Sequence, residues 1–119
     1  ETWSSSKTIS TNTEVNGNLK ITSGLTINAG DTLTVYGDVD IEGSSSSVYV
    51  YGDLNIIGGN LTIDGNSSFY LYGKVIVSDR GNKEETGNVT LKNKVNFYYY
   101  GGQLYVYNNF TQDDSDKKN

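Results

Sequence analysis

The chain has 119 residues, a formal charge of −5, ten tyrosines and 14 glycines, and it contains no proline, cysteine, methionine or histidine. One domain is expected at this length, and without cysteine or histidine the chain lacks disulfides, thiolate metal sites, the commonest metal ligand and the commonest general base. The acidic balance argues against nucleic acid and anionic membranes as partners, and no apolar run is long enough for a membrane span or a signal-peptide core. A start at Glu1 rather than Met leans towards a processed form.

Residues 1–14 are polar and rich in Ser and Thr, with Trp3 and Ile9 as the large apolar residues. They read as an N-terminal arm or cap, with Trp3 either loose or folded over the end of the domain. From Val15 an apolar alternation begins: Val15-Asn16-Gly17-Asn18-Leu19-Lys20-Ile21, then Leu25-Thr26-Ile27, then Leu33-Thr34-Val35. A unit of apolar, Tyr, Gly, polar and apolar residues then recurs as Val35-Tyr36-Gly37-Asp38-Val39, Val50-Tyr51-Gly52-Asp53-Leu54 and Leu71-Tyr72-Gly73-Lys74-Val75. Period-2 apolar positions on both sides of a glycine describe strand, corner, strand. Three strands and three corners per circuit predict an all-β fold, a single-stranded parallel β-helix (a triangular β-solenoid) of about five short coils over residues 15–110.

On that template, face A holds Leu19/Ile21, Val39/Ile41, Leu54/Ile56, Val75/Val77 and Leu104/Val106. Face B holds Leu25/Ile27, Leu61/Ile63 and Val89/Leu91, and face C holds Val15, Leu33/Val35, Val48/Val50, Phe69/Leu71 and Val95/Phe97. Successive face A strands begin at 19, 39, 54, 75 and 104. The uneven spacing collects in corners, with a Ser run at 44–47 and a charged insertion at 78–87. A sandwich also accommodates short strands, but only a stack sets Tyr36, Tyr51, Tyr72 and Tyr98 above one another, about 4.8 Å apart, as a ladder of rings. Tyr49 and Tyr70 would form a second ladder. Residues 94–107 are the most aromatic, with Tyr98, Tyr99, Tyr100, Tyr105 and Tyr107, and residues 111–119 form a charged C-terminal tail.

Asp38, Asp40, Glu42 and Asp53 are expected near one another. Paired carboxylates can perform acid–base work on polysaccharides, but no basic residue or deep insertion accompanies them, and they read as a solvated edge. Asp113, Asp114 and Asp116 lack the glycine turn and the spacing of a calcium loop. No catalytic residue, metal site or cofactor is therefore assigned, and the chain is not expected to be an enzyme. Thr26, Thr34, Thr62 and Thr90 scatter over two faces and form no regular ice-binding column. Asn60, Asn66, Asn88 and Asn109 each begin an N-x-S/T sequon, which points to an extracellular or cell-surface glycoprotein. The candidate ladder or binding face comprises Tyr36, Tyr51, Tyr72, Tyr98, Tyr100, Tyr105 and Tyr107, suited to sugar rings or to a protein interface.

The units at 35–41 and 50–56, with looser copies at 15–21 and 71–77, resemble those of bactofilin-type polymer-forming β-helices over roughly residues 15–77. The resemblance implies a small right-handed β-helix that polymerises through its ends without nucleotide. The long insertion, the tyrosines and the sequons depart from that family. Independently, a solenoid ends in two open sheet edges, and no amphipathic helix flanks this one to cap them. Trp3 and Val15 at one end, and Leu104 and Val106 at the other, are the candidate assembly residues. The expectation is a structural subunit of an extracellular filament or surface layer, polymerising head-to-tail with itself. The alternative is an adhesin or carbohydrate-binding module whose partner is a polysaccharide.

Overall fold

The computed structural model describes residues 1–43, 46–79, 86–93 and 95–113, and among these it contains strands and no helix. Three parallel sheets wrap one core. Sheet 1 is built from β1 (Thr2–Trp3), β4 (Leu19–Ile21), β7 (Val39–Ile41), β10 (Leu61–Ile63), β13 (Val89–Lys92) and β16 (Phe110–Asp113). Sheet 2 contains β2 (Lys7–Ile9), β5 (Leu25–Ile27), β8 (Ser47–Val50), β11 (Ser68–Leu71) and β14 (Asn96–Tyr99). Sheet 3 contains β3 (Thr13–Asn16), β6 (Thr32–Tyr36), β9 (Asp53–Ile57), β12 (Lys74–Ser78) and β15 (Gln103–Val106). The chain visits the sheets in rotation, so each coil serves as the crossover that a parallel pairing requires. The fold is the expected β-solenoid of about five coils.

Alternation accounts for the strands. Leu19/Ile21, Leu25/Ile27 and Leu33/Val35 point inward and are buried, while Lys20, Thr26 and Thr34 point outward. Each inward residue stands on its equivalent one coil below, so the core is a set of apolar rows from Trp3, Ile9 and Val15 up to Val89, Leu91 and Val95.

The phase of the later coils differs from the sequence threading. Faces A, B and C hold as far as Val39/Ile41. Beyond that, Val48/Val50 and Phe69/Leu71 stand on Leu25/Ile27 in sheet 2. Leu54/Ile56, Val75/Val77 and Leu104/Val106 stand on Leu33/Val35 in sheet 3, and Leu61/Ile63 and Val89/Leu91 stand on Val39/Ile41 in sheet 1. The physical reason is the similarity of the three corners. Val35-Tyr36-Gly37-Asp38 turns the chain from sheet 3 into sheet 1, whereas Val50-Tyr51-Gly52-Asp53 turns it from sheet 2 into sheet 3. Two copies of one unit thus occupy different corners, two faces apart rather than one coil apart. In the true register Leu19, Val39, Leu61, Val89 and Phe110 are stacked, at steps of 20, 22, 28 and 21 residues, and the short coil disappears. The 28-residue step contains the charged insertion, of which residues 80–85 lie outside the described residues.

The boundaries also move. The segment expected as an arm or cap supplies β1, β2 and the start of β3, a first coil in register with the second. At the other end, Thr111–Asp113 belong to β16 rather than to a tail, and residues 114–119 lie outside the described residues.

Where sheet 2 turns into sheet 3, Gly52, Gly73 and Gly102 form a column. A Cβ on Gly73 would lie inside van der Waals contact of the Gly52 carbonyl, and one on Gly102 would do the same to the Gly73 carbonyl. The coils approach there through bare backbone, which only glycine allows. Gly73→Ala is expected to destabilise the fold by about 3 kcal/mol or more, as overpacking against immovable backbone does. Gly30→Ala, where φ is +87° but nothing lies within 4 Å, should cost only about 1–2 kcal/mol. Equilibrium urea denaturation of the two variants measures the difference.

Candidate functional site: aromatic columns, an amide ladder and an open end

Stacking brings the tyrosines together in two parallel columns at the corner between sheets 2 and 3. Tyr49, Tyr70 and Tyr98 form one, with ring centroids 4.5 and 4.8 Å apart. Tyr51, Tyr72 and Tyr100 form the other, at 4.7 and 4.9 Å. Across the columns, Tyr49 and Tyr51 lie 6.2 Å apart, as do Tyr98 and Tyr100, with interplanar angles of 9° and 12°. Inside the same corner Phe69 stacks on Phe97 at 5.1 Å.

The membership differs from the expected ladder in three ways. Tyr36 lies at the corner between sheets 3 and 1, in register with Asn16, and belongs to neither column. Tyr98 continues the Tyr49 column, and Tyr100 takes the place expected for it above Tyr72. Tyr105 and Tyr107 lie on the sheet 3 side, where Tyr105 stands above Ile76 and its hydroxyl donates to Gln103 Oε1 at 3.1 Å. An extra glycine in Gly101-Gly102 causes the shift at the last coil: Leu71 pairs with Tyr99 and Lys74 with Gln103, so three residues span a corner that two span one coil below.

Within each column the ring faces cover one another, and the surface presents ring edges and hydroxyls. The Tyr49 pKa is raised above its usual value by burial and then by the neighbouring Tyr70. That of Tyr72 is raised by burial and then by Tyr51 and Tyr100.

A second ladder runs along the corner between sheets 3 and 1. Asn18 Oδ1 accepts the Asp38 N–H (2.8 Å), Asp38 Oδ1 accepts the Asn60 N–H (2.8 Å), and Asn60 Oδ1 accepts the Asn88 N–H (3.0 Å). Asn88 Oδ1 in turn accepts the Asn109 N–H at 3.0 Å, and the Asn88 side-chain amide donates to Asn60 Oδ1 at 3.0 Å. This ladder accounts for three of the four sequons. At each, Asn occupies the corner, the next residue (Leu61, Val89 or Phe110) takes an inward position, and the threonine faces outward, so Thr62, Thr90 and Thr111 stack in one column. Threonines do align, on sheet 1 rather than on the faces expected for them. Asn66, at an exposed turn between sheets 1 and 2, has no role in the ladder.

The expected carboxylate group separates. Asp38, Asp40 and Glu42 lie along sheet 1, where Glu42 pairs with Lys20 at 3.3 Å, while Asp53 lies on sheet 3. The Asp40 pKa is raised by burial and then by Asp38 and Glu42. Of the acidic tail run, Asp113 is the last residue of β16, and residues 114–116 lie outside the described residues.

The two ends of the solenoid differ. At the N-terminal end Trp3 is 7% exposed, its Nε1 donates to Glu1 Oε2 at 2.6 Å, and Lys7 Nζ lies 4.9 Å from its ring centroid. Ile9 and Val15 beside it are buried. Among the described residues nothing covers the inward rows at the C-terminal end: Tyr99, above Leu71, is 60% exposed and Phe110, above Val89, is 48% exposed. Phe97, Leu104 and Val106 are only partly buried there. Of the four candidate assembly residues, Trp3 and Val15 thus belong to a closed end, and Leu104 and Val106 to an open one.

Comparison with known proteins finds no match among protein-family models, curated proteins or solved structures.

The ladder predicts that Asn60→Ala, which strips the Asn88 N–H of its acceptor, costs about 1–3 kcal/mol. Asn60→Asp, which keeps an acceptor as Asp38 does, should cost clearly less; thermal melts of the two compare them. For the columns, a phenol pKa raised in the folded state contributes stability that is complete below the unfolded value of about 10 and is lost as pH rises through the folded value. Thermal melts from pH 8 to 12 should therefore show stability declining above about pH 10, and Tyr49→Phe/Tyr72→Phe should flatten that decline.

Proposed function

We propose that the chain is a structural, self-assembling subunit of a filament or surface layer that joins other copies through the ends of its solenoid. The observation that carries this reading is the uncovered C-terminal end. Phe69, Leu71, Val75, Val77 and Val89 are 0% exposed, whereas one coil above them Tyr99 and Phe110 reach 60% and 48%. Apolar surface of this kind, bordered by the unpaired edges of β14, β15 and β16, favours pairing with another chain. A second copy arriving head-to-tail would continue the parallel pairing used by every strand here, and contact between unlike ends extends into an open fibre. The resemblance of residues 15–77 to bactofilin-type β-helices points the same way.

The reading as an adhesin or carbohydrate-binding module draws less support from the geometry. A sugar ring stacks on an aromatic face, and along both columns those faces are taken up by neighbouring tyrosines. The extracellular setting now rests chiefly on Asn66, since the amide ladder explains the other sequons. If the chain passes through a glycosylating pathway, Asn66→Gln should remove the mobility shift that a glycosidase removes from the parent.

Negative-stain electron microscopy across a concentration series tests assembly. Fibres that lengthen with concentration are expected, and Val106→Asp, which places a charge on the open end, should abolish them. Fibres unchanged by that substitution would overturn end-to-end stacking.

A further inference from the structure

Among the described strands, outward-facing positions carry polar or aromatic residues with two exceptions, Ile57 and Ile76, and both lie on sheet 3. Ile57 pairs with Ser78 in the next coil, and Ile76 stands between Asn55 and Tyr105. Both are half-buried aliphatic side chains on a face that is otherwise the longest-stranded of the three, with five residues in each of β6, β9 and β12. The same face carries a column Thr32, Asp53, Lys74, Gln103. Asp53 and Lys74 are adjacent in this column, half-buried and opposite in charge, yet they form no ion pair with each other; the ion pair found among the described residues is Lys20–Glu42 on sheet 1.

We infer that the outer face of sheet 3 is a lateral interface that packs against the same face of a second copy, with the two solenoids antiparallel. Charge selects the orientation. A two-fold axis parallel to the strands, passing between β9 and β12, sets Asp53 of each copy against Lys74 of the other. It also sets Thr32 against Gln103 and the aliphatic Ile76 against the Asn55 position. A two-fold axis along the solenoid would instead set Asp53 against Ile57 and Lys74 against Ser78, leaving four half-buried charges without partners, which is the costlier arrangement. The face measures on the order of 350 Å² per copy, from strands of about 17 Å and a spacing of about 4.8 Å. Stable pairs bury about 800 Å² per partner. A single pair is therefore weak, and the contact gains strength only by repetition along a stack, a consequence that rests on the end-to-end reading.

The experiment is carried out with Val106→Asp as background, so that it does not depend on filament formation. Because the chain has no cysteine, Thr32→Cys and Gln103→Cys chains can be mixed at high concentration and treated with a short bismaleimide. The mixture is expected to cross-link at least about tenfold more than either chain alone, because only unlike reporters face each other across the pair. Asp53→Lys and Lys74→Asp, each introduced into both reporters, should abolish the cross-link. Mixing an Asp53→Lys reporter with a Lys74→Asp reporter should restore it, which a mere loss of fold would not allow. Cross-linking equal to that of a Thr26→Cys control on sheet 2, or a charge-reversed mixture that fails to recover, would overturn the interface. On the parent protein, Ile57→Ser/Ile76→Ser should leave fibres intact and single where the parent's are bundled. The absence of any fibre would count against end-to-end assembly, while the cross-linking result would still decide the lateral contact.

Discussion

Everything in this molecule depends on in-register parallel pairing between successive coils. Each residue sits about 4.8 Å above its own equivalent, so whatever one coil places at a position, the next must tolerate at contact distance. Inward strand positions of the interior coils carry apolar side chains, because a charge there would lie against a like row above and below with no water to solvate it. Tight corners need glycine on glycine, as at Gly52, Gly73 and Gly102. A side chain that can bond to its own copy gains from the repetition instead. Asn18, Asp38, Asn60 and Asn88 do so by accepting the backbone N–H one coil on, and the tyrosines do so by stacking. Buried backbone at the corner between sheets 3 and 1 is thereby satisfied without strand geometry, which is how a chain with strands as short as two residues stays ordered between them.

That constraint also explains what the amino-acid sequence reveals and what it hides. Alternation and glycine corners make the solenoid visible, because burial on one face of every strand imposes period 2. The aromatic stacking was visible too, since Tyr-Gly recurs. Its membership was not, because three corners of a triangular coil pose the same steric problem and accept the same solution. Tyr36 and Tyr51 sit in identical tetrapeptides 15 residues apart, whereas the step of 21 from Tyr51 to Tyr72 completes a coil. The first coil is hidden in the sequence for a different reason. In β1 and β2 a single inward residue, Trp3 or Ile9, carries the burial, and one apolar residue cannot show a period. The sequons illustrate a structural pattern with the outward form of a modification signal: a corner acceptor, an inward apolar residue and an outward β-branched one spell Asn-x-Thr without reference to glycosylation.

The ends follow from the same pairing. An interior coil has partners on both sides, whereas a terminal coil has one, and its inward row must be covered by something other than another coil. At the N-terminal end a large side chain suffices. The Trp3 indole closes the core and is held by Glu1 and Lys7, so the lowest row is nearly as buried as those above it. At the C-terminal end three of the rows finish in aromatic residues, Phe97 over Phe69, Tyr99 over Leu71 and Phe110 over Val89. Larger rings extend beyond the row below and leave more apolar area uncovered, which is the reverse of a cap.

The geometry of a solenoid finally separates two kinds of contact that a subunit of this shape can make. The area of an end equals one cross-section and does not change with the number of coils, so an end contact has the same strength in a pair of subunits as in a long stack. The area of a side grows with every coil added. A flat face too small to hold two isolated subunits, such as the outer face of sheet 3 with Ile57, Ile76, Asp53 and Lys74, becomes adhesive once stacking aligns many copies of it. Alternation of Asp53 and Lys74 along that face then sets relative direction, because only opposed solenoids bring unlike charges together. On this argument length comes first and width follows, and the two aliphatic residues that break the outward polar pattern hold copies together firmly only once stacking has aligned many of them.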